Sequence, residues 1–501
     1  MKRLRLFLPL LFLFLFLSLA HAQDLASFEK RVTVKKLSNG LTVLVLRRPE
    51  APVFSFRTIV DAGDAQDPLG KTGLAHMMEH MAFKGSTVIG TTNYPKEKLA
   101  LEKVEQAYRE YDRERQKTVG QDKAKLAQLE KAWLDARAEA DQYAIKNEFG
   151  EIVERSGGVG LNASTGEDVT QYEYSMPANR IELWAYLESE RFLHPVMREF
   201  YRERDVVMEE RRMRVDSSPI GRAVAQFLSV AFDASPYHRP GIGYMQDLQH
   251  FSATDAMEFF KRYYVPSNMV VAVVGDVDPA QVFAIVERYF GRLPAAPKPE
   301  EYSPVETRQN SERSVVLKDP SQPVYLEGYR RPNYLSPDDA VYDVISDLMS
   351  EGRTSRLYRT LVRDRKIAIQ AGGFSGFPGF KYENLFAFYG VPTSGHTNKE
   401  VQDAIREEIE KLRTTDVSDE ELKMVKTRAR AALIRGLADN NGLASELAEM
   451  QLHYGDWREL FRQIDRIDKV TKEDIRRVAN ATFVENNRTV CMMETATKGA
   501  K

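Results

Sequence analysis

Two β-rich runs over residues 32–46 are separated by Ser38-Asn39-Gly40, and the Asn-Gly pair suits the positive φ angles of a tight hairpin. A third such run, 54–60, reads as another strand. Over 73–83 the period changes: Leu74, Met77, Met78 and Met81 recur at the spacing of one helix side. A strand over 171–175, helices over 180–192 and 201–215, and a strand over 269–275 follow. The Pro- and Glu-rich stretch 294–304 then breaks the pattern and marks a linker. Beyond it the order recurs, with strands at 314–317 and 323–329, a helix at 338–349, a strand at 385–390 and a helix at 399–412. A further helix opens with the capping box Ser418-Asp419-Glu420-Glu421. Interleaved helices and strands predict an α+β chain of two halves with similar architecture.

Residues 96–146 have no counterpart in the second half. Leu101, Val104, Ala107 and Tyr111 are spaced for one helix, and Leu126, Leu129, Trp133, Ala136 and Ala140 for a second, with Gly120 between them. The pattern predicts an antiparallel helical hairpin, a short coiled coil whose charged residues are solvated faces rather than a docking site.

The start of the chain differs from the rest. Lys2, Arg3 and Arg5 precede an apolar run over 6–19, and Ala20-His21-Ala22 places small residues at both recognition positions of a cleavage site. We read 1–22 as a signal peptide; as an uncleaved anchor the run falls short of the roughly 20 apolar residues that span a bilayer. No later stretch is long enough to span, so no stable membrane span is expected. Across 501 residues, 43% hydrophobic and 29% charged, there is material for sizeable cores. The formal net charge of −2 becomes −5 without Lys2, Arg3 and Arg5, which argues against nucleic-acid binding. The single cysteine, Cys491, permits no intramolecular disulfide and reads as a buried residue of a terminal strand. Export without disulfides suits a bacterial periplasm.

The sharpest chemical signal is His76-Met77-Met78-Glu79-His80. On a helix, positions i and i+4 share a face, so both imidazoles can reach one metal ion, while Glu79 lies one turn from His76 and can reach a water beside it. Hydrolytic zinc sites need that arrangement and a third protein ligand from elsewhere. The run Gly73 to Gly85, with His76, Glu79 and His80 inside it, closely resembles the zinc-site helix of the pitrilysin and insulinase family (M16), which includes the mitochondrial processing peptidases. In that family a later helix carries a Glu and, seven residues on, a second Glu that binds zinc. Glu203 and Glu210 fit, on one helix face, with Glu209 pointing elsewhere.

The resemblance therefore implies a zinc endopeptidase with one Zn2+ per chain, held by His76, His80 and Glu210. Glu79 would be the general base and Glu203 a carboxylate behind the ligands. It also implies two homologous pitrilysin-like domains, each a mixed sheet with helices over one face. The expected division is a signal peptide 1–22, a zinc-binding domain 23–293 with the hairpin insertion 96–154, a linker 294–310 and an inactive domain 311–501. The 129 residues between His80 and Glu210 exceed the family's usual spacing by about the length of that insertion. Leu161-Asn162-Ala163-Ser164-Thr165, with Thr170 and Tyr172, resembles the family's edge strand beside the zinc, where a peptide substrate adds as an extended strand. Asn162 and Ala163 are the expected substrate contacts; without the resemblance the same residues read as an ordinary hairpin.

One departure stands out. In many members an Arg and a Tyr seven residues apart follow a Ser-Arg-Leu tripeptide and grip the substrate carbonyl. Here Ser355-Arg356-Leu357 is present, but the counted positions hold Val362 and Ile369; Arg363 and Arg365 lie nearby with no tyrosine seven residues after either. The expected consequence is a heterodimer with a homologous subunit that supplies the Arg and Tyr. The alternatives are a homodimer, or a monomer that uses Arg363 or Arg365. Two other functional alternatives remain: a non-catalytic structural or chaperone-like subunit of the same fold, against which retention of the metal motif speaks, and a zinc enzyme acting on a non-peptide substrate.

Overall fold

The computed structural model describes residues 28–496, so the expected signal peptide lies outside the described residues. The first half contains β1 (Val32–Lys36), β2 (Thr42–Arg47), β3 (Val53–Val60), β4 (Val159–Thr165), β5 (Thr170–Pro177) and β6 (Met269–Gly275). Its helices are α1 (Leu74–Met81), α2 (Tyr94–Arg115), α3 (Lys123–Asp141), α4 (Glu148–Arg155), α5 (Ile181–Leu193), α6 (Phe200–Arg211), α7 (Pro219–Ala231), α8 (Met245–His250), α9 (Ala253–Tyr263) and α10 (Pro279–Phe290). The second half contains β7 (Arg313–Asp319), β8 (Val324–Arg331), β9 (Ala368–Phe377), β10 (Asn384–Pro392) and β11 (Arg488–Thr495). Its helices are α11 (Asp339–Ser350), α12 (Asn398–Thr414), α13 (Asp419–Gly436), α14 (Asn440–Tyr454), α15 (Glu459–Lys469) and α16 (Lys472–Thr482). No described helix is long and apolar enough to cross a membrane.

The first sheet has the order β1-β2-β6-β3-β5-β4 and the second β7-β11-β8-β10-β9. Without β1 the two orders match strand for strand. In each, the last strand of the half is inserted one place in from the end of those five, β6 parallel to β2 and antiparallel to β3, and β11 parallel to β7 and antiparallel to β8. All seven residues of β6 are buried, as expected for an apolar strand covered on both faces. The β1–β2 turn uses Gly40 at φ 100°; a Cβ there would stand 3.0 Å from Ser267 Cβ, so the turn can press onto the loop before β6 only because it lacks one.

Each half's own helices cover one face of its sheet, and the opposite faces are covered reciprocally. On the first sheet, Leu44, Ile59, Val270 and Val274 pack against Leu443, Ala444 and Leu447 of α14, a second-half helix. On the second, Val324, Leu385, Cys491 and Met493 pack against Ala223, Phe227 and Leu228 of α7, a first-half helix. Helices and strands are absent from 294–312, but that segment is not a loose tether. Glu306 accepts hydrogen bonds from the backbone amides of Asp233, Ala234 and Ser235, and Lys298 pairs with Asp61 at 2.8 Å.

The α2–α4 segment stands between α1 and β4, where the second half has only a π-helical turn, Tyr358–Asp364. Asn93 caps α2 and Asp122 caps α3. The apolar seam joins the first core through Val104, Tyr108 and Trp133. Arg204 of α6 donates to the Tyr108 hydroxyl at 2.6 Å, which ties the hairpin to the helix carrying Glu203 and Glu210. The helix expected over 201–215 is α-helical only to Arg211 and continues as a π-helical turn, Arg212–Asp216.

Candidate metal centre

A buried carboxylate sets the start of α1. Asp67 Oδ2 accepts from Gly73 N at 2.5 Å and Oδ1 from Ala75 N at 2.9 Å, filling amides that a helix N-terminus leaves unpaired. Gly73 itself adopts φ 95°, and a Cβ on it would meet Leu248 Cδ2 at 2.7 Å. The apolar side of α1 (Leu74, Ala75, Met77, Met78 and Met81) is buried in the first core, which leaves His76 and His80 facing α6.

His76 Nε2 lies 3.2 Å and His80 Nε2 3.6 Å from the same Glu210 oxygen, Oε2. The ligand atoms of the three side chains all lie within 4.8 Å of one another, the one such gathering among the described residues. A tetrahedral zinc ion with ligands at roughly 2.1 Å holds its donor atoms about 3.4 Å apart, so two imidazoles and a carboxylate at these separations fit zinc in chemistry and in spacing. The hydrogen bond from His76, stronger than the opposing effect of burial, holds the Glu210 carboxyl at about 2, ionised as a ligand must be.

Further carboxylates and cations stand behind these groups. Glu203 Oε2 is 3.4 Å from His80 Nδ1, and its Oε1 is 2.5 Å from Lys84 Nζ. Burial works to raise the Glu203 carboxyl, but the bonds from His80 and Lys84 outweigh it and leave the group below its usual range. Burial likewise opposes charge on His80, and the Glu203 hydrogen bond with the nearby Glu79 and Glu210 charges overcomes it, raising the imidazole above its ordinary value. Arg214 pairs with Glu210 Oε1 at 2.5 Å. Glu79 lies 3.9 Å from His76 Nδ1 and accepts a hydrogen bond from Thr165 Oγ1 at 2.8 Å. Lys84, Arg214 and Thr165 have no assigned role in the sequence reading. Arg214 was legible as the residue one turn after Glu210, whereas Lys84 and Thr165 reach the site only through the fold.

β4 is the outer strand of its sheet, paired on one side only, by β5. Asn162 and Ala163 both lie on it but point to opposite faces. Asn162 is exposed, with Nδ2 3.4 Å from Glu173 Oε1, while Ala163 packs against the first core on the face shared with Thr165. Val362 lies in the π-helical turn and Ile369 is 56% exposed on β9. Arg363 is paired with Asp364, and Arg365 with Glu407 of α12 at 2.5 Å, in the helical layer of the second half. Where α1 meets α6 in the first half, α11 meets α13 in the second, and an ion pair between Asp347 and Arg428 occupies that junction.

Comparison with known proteins gives concordant matches. Residues 42–112 match the insulinase family (peptidase family M16), and residues 250–429 match the peptidase M16 inactive domain. The zinc protease PqqE of Helicobacter pylori is 29% identical over 486 residues, 95% of this chain and 94% of that protein. Mitochondrial-processing peptidase subunit beta of Saccharomyces cerevisiae is 21% identical over 472 residues, 91% of this chain and 89% of that protein. Among solved structures, a protease from Helicobacter pylori superposes with a TM-score of 0.77 at 26% identity, over 93% of this chain and 99% of that one. The first half of the periplasmic protease PqqL from Escherichia coli superposes with a TM-score of 0.67 at 18% identity, over 93% and 92%, a likeness of fold.

Proposed function

Because the chain belongs to peptidase family M16, the insulinase family, we propose that it is a zinc-dependent endopeptidase, with His76, His80 and Glu210 as metal ligands and Glu79 as general base. The observation that carries this reading is the convergence of three donors within 4.8 Å of one another, with Glu79 on the same helix beside them. When bound, zinc supplies Lewis acidity that polarises a carbonyl and acidifies water. Glu79 takes a proton from the attacking water and returns it to the leaving amine. The free edge of β4 offers backbone N–H and C=O groups to an extended peptide, so the substrate class is peptides or unfolded segments, held largely through their main chain.

Val362 and Ile369 offer no charge or hydroxyl to a substrate carbonyl, and Arg363 and Arg365 are held in ion pairs. This favours a homologous partner subunit that supplies such groups. The same reading includes export directed by residues 1–22 to a bacterial periplasm and a division of the repeat at 294–310. The test measures zinc content and fluorogenic-peptide hydrolysis together. Glu79→Gln retains about one zinc per chain and loses hydrolysis by at least 10²-fold, while His76→Ala, His80→Ala and Glu210→Ala lose the metal. Full activity in Glu79→Gln would overturn the assignment of the base. Vigorous turnover by the isolated chain, unchanged on adding a homologous subunit, would overturn the partner.

A further inference from the structure

Behind Glu79 lies a set of hydroxyl groups that metal binding does not use. Thr165 ends β4, and its register partner across the tight turn to β5 is Thr170. The Gly166 amide closes that turn by donating to Val169 O at 2.9 Å. Thr170 is fully buried and donates its hydroxyl proton to Ala62 O at 2.9 Å, which pins the start of β5 to the loop after β3. Deeper still, the Tyr172 and Tyr264 hydroxyls meet at 3.0 Å, both rings buried in the first core. The Thr165 hydroxyl stands 3.5 Å from the Thr170 hydroxyl but only 2.8 Å from Glu79 Oε2, and its one proton goes to the nearer, charged acceptor.

We propose that Thr165 is a positioning residue for Glu79: its hydroxyl holds Oε2 and so fixes the carboxylate plane with Oε1 free to take the proton. This rests on the reading of Glu79 as general base. The physical reason is that a glutamate side chain has three rotatable torsions, and a base must be within hydrogen-bond reach of the proton it abstracts. A donor mounted on a strand whose register is fixed removes that freedom before substrate arrives. Thr165 also stands on the strand proposed to pair with the peptide, on the same face as Ala163. Docking of the peptide backbone and aim of the base are thus built on one segment of seven residues, Val159–Thr165.

The decisive comparison is between Thr165→Val, which keeps the shape and loses the donor, and Thr165→Ser, which keeps the donor. We expect Thr165→Val to lower kcat by about ten- to a hundredfold with KM within about twofold, and Thr165→Ser to restore most of kcat. Zinc content should equal that of the unaltered chain in both. A crystal structure of Thr165→Val, with or without metal, should show the Glu79 carboxylate turned from its present orientation. Unchanged kcat in Thr165→Val, equal losses in both variants, or a loss confined to KM would each overturn the proposal. Glu79→Gln measured in parallel separates the two levels: if that variant is inactive while Thr165→Val is fully active, only the role of Thr165 falls. If Glu79→Gln is active, the base assignment falls as well.

Discussion

Replacing Glu203 by Gln tests how far the metal centre depends on groups that do not touch the metal. Glu203 Oε2 faces His80 Nδ1 at 3.4 Å, and Lys84 holds the other oxygen at 2.5 Å. An acceptor at Nδ1 keeps the proton on that nitrogen and leaves the lone pair on Nε2, the nitrogen 3.6 Å from Glu210 Oε2. A glutamine can still accept through its amide oxygen, but without charge, and Lys84 no longer orients it. Loss of such an orienting carboxylate weakens metal affinity by roughly ten- to a hundredfold, about 1.4 to 2.7 kcal/mol. The assay is zinc competition against a chelator of known affinity, with thermal unfolding of the metal-free and zinc-loaded forms alongside. Because zinc stabilises the fold by RT ln(1 + [Zn]/Kd), each tenfold loss of affinity removes about 1.4 kcal/mol from the gap between the two forms. The metal-free form should melt nearly where the unaltered protein does. Unchanged affinity in Glu203→Gln would refute the argument, as would a loss as complete as that of Glu210→Gln, which would make Glu203 a ligand.

Other outcomes are expected on the same structural grounds. Phe227→Ala, which removes a buried ring pressed against β8 so closely that a Cβ on Gly328 would stand 2.6 Å from it, should cost about 3–5 kcal/mol. Unfolding followed by fluorescence and by circular dichroism should still show one coincident transition, and two resolved steps would contradict the shared packing. Burial pushes the Cys491 thiol up to about 12, so at pH 8 it stays protonated and should resist alkylation until the protein is denatured; rapid labelling of the native protein would show the site to be open. Mass spectrometry of exported protein should find Gln23 at the N-terminus, and an intact Met1 in the membrane fraction would show an anchor instead.

The site was legible in the sequence to the extent that its chemistry follows helical spacing. His76, Glu79 and His80 sit within little more than one turn, and Glu203 and Glu210 are seven apart on α6, so their faces could be assigned before their neighbours were known. Contacts that depend on how elements pack were not legible. Asp67 caps α1 across a loop, Lys84 turns back from the end of α1 to Glu203, and Thr165 reaches Glu79 from a strand 86 positions away. The order of strands along the chain showed the repeat, because each half spells it with the same alternation of periods. Reciprocal placement of α7 and α14 left no local trace, since Phe227 or Leu447 reads as a core residue whichever sheet it covers.

That reciprocity separates the unit of descent from the unit of folding. During synthesis the strands of the first sheet are complete once Gly275 has been made, yet Leu44, Ile59 and Val274 keep a bare apolar face until the residues of α14, Asn440–Tyr454, have followed. The early product is a sheet with one side still wet, the kind of species that aggregates or recruits a holdase while it waits. Two polypeptides cut at the repeat boundary would each carry an orphaned helix and an uncovered sheet, insoluble apart and complementary together. For anyone expressing this protein in pieces, the practical consequence is co-expression of the two fragments.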